Sequence, residues 1–257
     1  MLLTIDAGNT NTVFALFEGE TLKGQWRIAT DGRRTADEYG VWLRQIMQFN
    51  QLPPESVTGA IIASVVPQTL FDLKKCCRTY FHVTPLIVGE AGVESGMEVR
   101  IDRPSEVGAD RIVNAFAARR RYPVPLIVLD FGTATTFDVV NESGAYVGGV
   151  IAPGVNLSLE ALHRAAAKLP KVAIEAPPKV TGTNTVSAMQ SGVYYGYVGM
   201  IEGIVSRIRR EHGQEMFTVA TGGLASLFAG ATDAIQAIDK DLTIHGLREI
   251  YEMNLKR

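Results

Sequence analysis

Cysteine is nearly absent from this chain. Two occur, Cys76 and Cys77, adjacent in a stretch that reads as helix. Neighbouring helical residues point apart, so no structural disulfide is expected between them. No metal-ligand spacing accompanies them, and a reducing, cytoplasmic setting is expected. Charge of one sign is lacking too: 25 Lys and Arg stand against 27 Asp and Glu, a net charge of −2. That removes the electrostatic case for a nucleic-acid partner. No window approaches the ~20 apolar residues that span a bilayer, and no basic segment followed by an apolar core marks a signal peptide. A membrane partner is therefore not expected. The four histidines are scattered and read as structural. Absent as well are Gly-x-x-x-x-Gly-Lys-[Ser/Thr], Gly-x-Gly-x-x-Gly after a strand, and a Gly-x-Ser-x-Gly elbow. P-loop, dinucleotide-fold and serine-hydrolase plans are set aside on that ground.

What is present is a stretch that occurs twice. In Thr4-Ile5-Asp6-Ala7-Gly8-Asn9-Thr10-Asn11-Thr12 an apolar strand runs into a carboxylate, a glycine and four small polar residues, and Val13 resumes an apolar run. Glycine lets backbone approach a ligand, small hydroxyls and amides add short hydrogen bonds, and Asp6 suits a hydrated metal ion. Alone, this reads as a polar turn between strands. The second copy, Val128-Leu129-Asp130-Phe131-Gly132-Thr133-Ala134-Thr135-Thr136, changes that. Asp6 with Asp130, Gly8 with Gly132, Thr12 with Thr136, Glu18 with Glu142 and Gly24 with Gly148 all keep one separation. Such long-range self-similarity points to duplicated domains facing each other. With 257 residues, 46% of them apolar, the chain can build two ordinary cores. Tyr122-Pro123-Val124-Pro125 is the best boundary, giving halves 1–122 and 123–257.

Patterning fills in the elements. Strands are expected over 1–6, 12–17 and 23–29, antiparallel because their turns are short. Thr35 and Glu38 form a capping box for a helix that Pro53-Pro54 stops. A buried strand over 57–66, a helix from Pro67 to about 80 and a strand over 83–88 follow. Residues 89–106 resist assignment, and a helix covers 108–121. The second half reads as strands near 126–131, 134–140 and 145–151, then a helix over 156–167. A proline-rich loop over 169–179 leads to a long helix over 184–211. A strand over 216–220, a short one near 235–238 and a helix over 242–253 close the chain. The order β-β-β-α-β-α-β appears twice. Gly192, Gly196, Gly199 and Gly203 stud the long helix, each costing ~1 kcal/mol there. Close packing within the chain or a dimer interface would compensate equally well.

Two such units, each opening strand-Asp-x-Gly, resemble the actin, sugar kinase and Hsp70 ATPase architecture. The implied fold is α/β: two duplicated ribonuclease H-like, actin-like ATPase domains with mixed five-stranded sheets flanked by helices. In that architecture nucleotide sits between halves and packs on a glycine turn of the second, a place that Thr221-Gly222-Gly223 fits. With no lysine in either Asp-x-Gly loop, phosphate charge falls to backbone N–H groups, hydroxyls and cations. For the acceptor, Gly108 and Ala109 permit close approach to a helix start. Asp110 can take a hydroxyl proton, and Arg111 can clamp a carboxylate. An ordinary helix start with Asp110 on its positive end and Arg111 in a salt bridge explains that spacing equally well.

The four linked motifs, Asp6-x-Gly8-Asn9-Thr10-Asn11, Gly108-Ala109-Asp110-Arg111, Asp130 to Thr136 and Thr221-Gly222-Gly223, resemble type III pantothenate kinase across essentially the whole chain. The resemblance implies ATP-dependent phosphorylation of pantothenate, the first step of coenzyme A synthesis, by a homodimer. It places Asp6, Ala7, Gly8, Asn9, Thr10, Asn11, Thr12 and Val13 on the ATP phosphates, with Asp6 on magnesium through water. Asp110 becomes the proton acceptor, and Gly108 to Arg111 with Thr185 surround the pantothenate. Asp130 becomes the ligand of K+ or NH4+, while Thr133 contacts ATP. One departure is visible: the aromatic residue that often precedes Gly-Ala-Asp-Arg has no counterpart in Val99-Arg100-Ile101-Asp102. A sugar-type kinase of the same fold, or a non-catalytic regulator built on it, are the competing expectations.

Overall fold

A computed structural model describes residues 1–166 and 169–256 of the chain. In chain order the elements are β1 (Leu2–Ala7), β2 (Asn11–Glu18), β3 (Thr21–Ala29), α1 (Ala36–Phe49), β4 (Gly59–Ser64), α2 (Pro67–Phe81), β5 (Leu86–Ile87) and α3 (Ala109–Arg121). Then come β6 (Leu126–Phe131), β7 (Ala134–Val140), β8 (Tyr146–Pro153), α4 (Val155–Ala165), α5 (Thr185–His212), β9 (Phe217–Gly222), α6 (Ala225–Ala229), β10 (Ala237–Ile238) and α7 (Leu242–Leu255). The last residue expected in α4, 167, lies outside the described residues.

The sheets are built alike. Their orders are β3-β2-β1-β4-β5 and β8-β7-β6-β9-β10. In each, the first strand pairs antiparallel with the second and parallel with the fourth. Two mixed five-stranded sheets carrying one topology form the expected duplicated architecture.

The chain divides into two compact units, which are not contiguous halves. Unit 1 takes 1–98, 102–117 and 241–257; unit 2 takes 99–101 and 118–240. The division expected at 122/123 parts the two sheets, but α7 belongs with the first sheet. It packs on β1 and β4, and Gly59 leaves room there for the Tyr251 ring, whose hydroxyl would lie 1.9 Å from a Cβ at that position. Unit 1 therefore has helices on both sheet faces. Leu3, Ile5, Phe14 and Leu16 meet α1 and α2 through Tyr39, Leu43, Leu73 and Cys77, while Ala15 and Phe17 meet Ile244 of α7. In unit 2, Ile127, Leu129, Phe131, Phe137 and Val139 pack with Tyr194, Tyr197, Ile201 and Phe228.

Most expected elements are present, and the departures have local causes. The capping box at Thr35 and Glu38 is formed. β5 has two residues rather than the six expected, because Pro85 has no N–H for the ladder and Val83 donates to Cys77 O instead. The short α6 was not foreseen. Cys76 and Cys77 are buried free thiols; burial pushes Cys76 up to about 12 and Cys77 higher still.

The constant separation between the repeats breaks at the turn. Thr12 pairs with Ala7, the residue after Asp6. Thr135, not Thr136, pairs with Phe131, the residue after Asp130. The second turn is thus one residue shorter, and Thr135 is the structural counterpart of Thr12. The bulges agree: the register shifts at Leu16/Phe17 in one copy and at Val139/Val140 in the other. The original separation returns through the hairpin that follows: Leu22 stands opposite Phe17 and Tyr146 opposite Val140, so the second hairpin is one residue longer.

Candidate active site

The first turn is closed by Gly8 N–H donating to Asn11 O at 3.0 Å. Asn9 and Thr10 form its exposed tip, and Asp6 is half-buried in the strand below. Thr30, just past β3, braces it: its N–H donates to Thr10 O at 2.9 Å, and its hydroxyl donates to Gly8 O at 2.7 Å. The Thr12 hydroxyl lies 2.9 Å from that of Thr30. Thr30 has already given its one proton to Gly8, so Thr12 is the donor.

The second turn repeats the plan with other parts. Gly132 N–H donates to Ala134 O at 3.0 Å, and Thr133 O accepts the N–H of Gly154 at 3.1 Å. Gly154 follows β8 as Thr30 follows β3. It carries no hydroxyl and touches the turn directly: a Cβ there would lie 2.2 Å from Thr133 O and 2.7 Å from Gly132 O. Gly154 also caps α4, so the helix starts on the turn. One consequence is an orphan. Among the described residues the fully buried Thr135 hydroxyl has no hydrogen-bond partner, because the position that supplies Thr12 with Thr30 now holds glycine.

Asp130 sits between Thr136 and Thr221 on the neighbouring strands. Gly222, with φ +90°, lies beside it; a Cβ there would stand 2.6 Å from Asp130 Oδ1 and 2.7 Å from Phe131 N. Thr221, buried, and Gly222 thus lie against the Asp130 strand, and Gly223, exposed, follows them.

Asp110 is the second residue of α3, which Ile112 N–H opens by donating to Gly108 O at 3.2 Å. Its Oδ1 accepts the Arg111 N–H at 2.8 Å. A Cβ on Gly108 would stand 2.6 Å from Oδ1 and 3.3 Å from Val65 Cγ1, which is why glycine occupies 108. Val65 in turn donates its N–H to Ala7 O at 3.1 Å. Inside unit 1, then, Val65 bridges the end of β1 and the Asp110 shelf. Burial raises the Asp110 carboxyl above the ordinary carboxylate range, and the Arg111 N–H and charge only partly offset it.

Thr185 lies elsewhere on unit 2, as the exposed first residue of α5 after the Asn184 cap. It lines an apolar groove of about 750 Å³ with Leu162, Met189, Gly192, Gly196 and Tyr197. A Cβ added at Gly192, Gly196 or Gly199 would meet nothing within 4 Å. Close packing within the chain therefore does not explain these glycines. Among the described residues, no three His, Cys, Asp or Glu side chains gather as a metal cage, and no helix is long and apolar enough to cross a membrane.

Sequence reasoning missed Thr30, Val65 and Gly154. Thr30 and Gly154 stand at the constant separation of the repeat, but their side chains differ, so a search for matching residue types passes over them.

This topology, with an Asp-x-Gly turn opening each sheet, defines a duplicated actin-like ATPase fold. A protein of Sinorhizobium meliloti assigned as a 2-dehydro-3-deoxygalactonokinase shares it at a TM-score of 0.61 and 13% identity, over 98% of this chain and 96% of that one. The ethanolamine utilization protein EutJ of Carboxydothermus hydrogenoformans does so at 0.53 and 12%, over 95% and 88%. Residues 2–207 match the model of the family described as type III pantothenate kinase. The chain is 60% identical over 254 residues to the type III pantothenate kinase of Paramagnetospirillum magneticum, covering 99% of this chain and 98% of that one. It is 59% identical over 254 residues to that of Rhodospirillum rubrum, covering 99% of each. The chain belongs to the type III pantothenate kinase family.

Proposed function

We propose that this chain transfers the terminal phosphoryl group of ATP to the 4′ hydroxyl of pantothenate, with Asp110 as the base. Family membership over nearly the whole chain supports the reaction. The observation that carries the role of Asp110 is its seat over Gly108, with a carboxyl raised by burial. A base with a raised pKa holds an abstracted proton better. Gly108 and Ala109 give the acceptor access, and Arg111 pairs with its carboxylate. Thr185 contributes a hydroxyl to the acceptor from the α5 groove.

The turn from Gly8 to Thr12, with Val13, holds the ATP phosphates, while Thr133 and the Thr221-Gly222-Gly223 turn receive the rest of the nucleotide. A kinase of this family uses ATP with a divalent metal. We assign magnesium to Asp6 through water: a lone carboxylate with phosphates and water is how that ion is usually held. We assign the monovalent cation, K+ or NH4+, to the Asp130 carboxylate, which Gly222 leaves uncovered by a side chain. When bound, these ions neutralise charge on the transferring phosphoryl group.

The unpacked glycine face of α5 supports a homodimer, with a second copy covering Gly192, Gly196 and Gly199. The buried, un-ionised thiols fit a cytoplasmic enzyme. The test of the function is ADP release across a panel of acceptors and cations. Turnover is expected only with pantothenate, magnesium, and K+ or NH4+ together; turnover of sugars in place of pantothenate overturns the substrate.

A further inference from the structure

We infer that Thr30 is a positioning residue for the nucleotide turn, acting through Gly8, Thr10 and Thr12 rather than by touching the nucleotide. The inference rests on the reading of that turn as the ATP site. Carbonyl oxygens repel phosphate, so an anion-binding turn must direct them elsewhere. Three of this turn's carbonyls are engaged by donors inside the protein. Gly8 O takes the Thr30 hydroxyl, Thr10 O takes the Thr30 N–H, and Asn11 O takes the Gly8 N–H. Two of the three bonds come from Thr30, and Thr12 fixes its hydroxyl rotor from below.

The second copy is an internal control. There the equivalent residue is Gly154, which keeps the backbone bond but has no hydroxyl. The turn is one residue shorter, and among the described residues Thr135 is left without a partner. A hydroxyl at this position thus accompanies the longer turn alone. A threonine that merely filled space would leave its counterpart to Thr12 equally satisfied in both copies.

The experiment compares wild type, Thr30→Val, Thr30→Ala and Thr30→Ser. It follows steady-state kinetics in ATP and in pantothenate, MgATP calorimetry and thermal melting. Valine keeps the shape and removes the bond to Gly8 O. It should raise KM for ATP and weaken MgATP binding about tenfold, the size of one charge-free hydrogen bond, with KM for pantothenate unchanged. Serine should bring both values back to within about twofold of wild type, since it restores the same donor. Alanine should match valine, and it supplies the reading if valine does not fold. If the valine and alanine variants bind MgATP as wild type does, or if both KM values move together, the inference is overturned. Wild type that binds MgATP but does not phosphorylate pantothenate would instead refute the proposed reaction, and calorimetry would still decide the role of Thr30.

Discussion

The two Asp-x-Gly turns are copies that reached the same backbone closure by different means. In unit 1 a threonine clamps a longer turn with its amide and hydroxyl. In unit 2 a glycine lies against a shorter turn and starts a helix on it. A backbone N–H braces each turn; a side-chain hydroxyl adds to it in the first, close backbone approach in the second. Bonds fix the direction of individual carbonyls, whereas contact fixes position. That difference matches their proposed duties, presentation of a turn to phosphate and support of a cation site at Asp130.

The steepest expected difference is steric. Gly154→Ala places a Cβ 2.2 Å from the Thr133 carbonyl oxygen, and backbone cannot yield as a side chain does. A loss of about 3 kcal/mol is expected in urea unfolding. Thr30→Ala, at the equivalent position, should cost only about 1 kcal/mol. Equal losses would erase the distinction between the two braces.

Next comes Gly222→Ala. Its φ of +90° and the 2.6 Å approach to Asp130 Oδ1 predict a loss of about 2 kcal/mol, along with reduced activation in a K+ titration. Ser64 occupies the matching place on β4 and already carries a side chain. Ser64→Gly should therefore cost less, about 1 kcal/mol, and leave the K+ response unchanged.

The smallest effects are the most pointed, because they have opposite signs. Thr12→Val removes a satisfied donor and should lower stability by about 1 kcal/mol. Thr135→Val removes an orphaned one and should leave stability unchanged or raise it by up to about 1 kcal/mol. Parallel melts of the two isosteric variants check this, and equal losses would mean that Thr135 has a partner in solution.

Much of this was legible in the sequence. The Asp-x-Gly repeat located both turns and implied the shared topology, and the capping box of Thr35 and Glu38 marked its helix. What escaped detection depended on contacts distant in sequence. The shortened second turn is hidden because the hairpin between β7 and β8 is one residue longer and restores the original separation. Thr30 reads as an ordinary residue ending a strand until its hydroxyl is seen on Gly8, 22 positions away. The return of α7 to the first sheet has no local signal either, since an amphipathic helix does not specify which sheet it covers. The glycines of α5 raised a question of packing that only three dimensions answer, by showing open space.

The proposal depends most on Asp110, and its raised carboxyl has two linked consequences. With its folded-state pKa above the unfolded value, Asp110 favours folding most while protonated, below the unfolded pKa. That advantage is lost as pH rises through the folded pKa. Above that pKa the ionised side chain is therefore a burden on stability, and Asp110→Asn should melt no lower than wild type. The most direct measurement is the pH dependence of kcat/KM for pantothenate, for wild type and Asp110→Asn side by side with their melts. Wild-type activity should rise with pH through a limb above the ordinary carboxylate range, and the asparagine variant should lose about 100-fold or more while keeping its stability. An asparagine variant that retains full activity and the same acid limb would contradict the account.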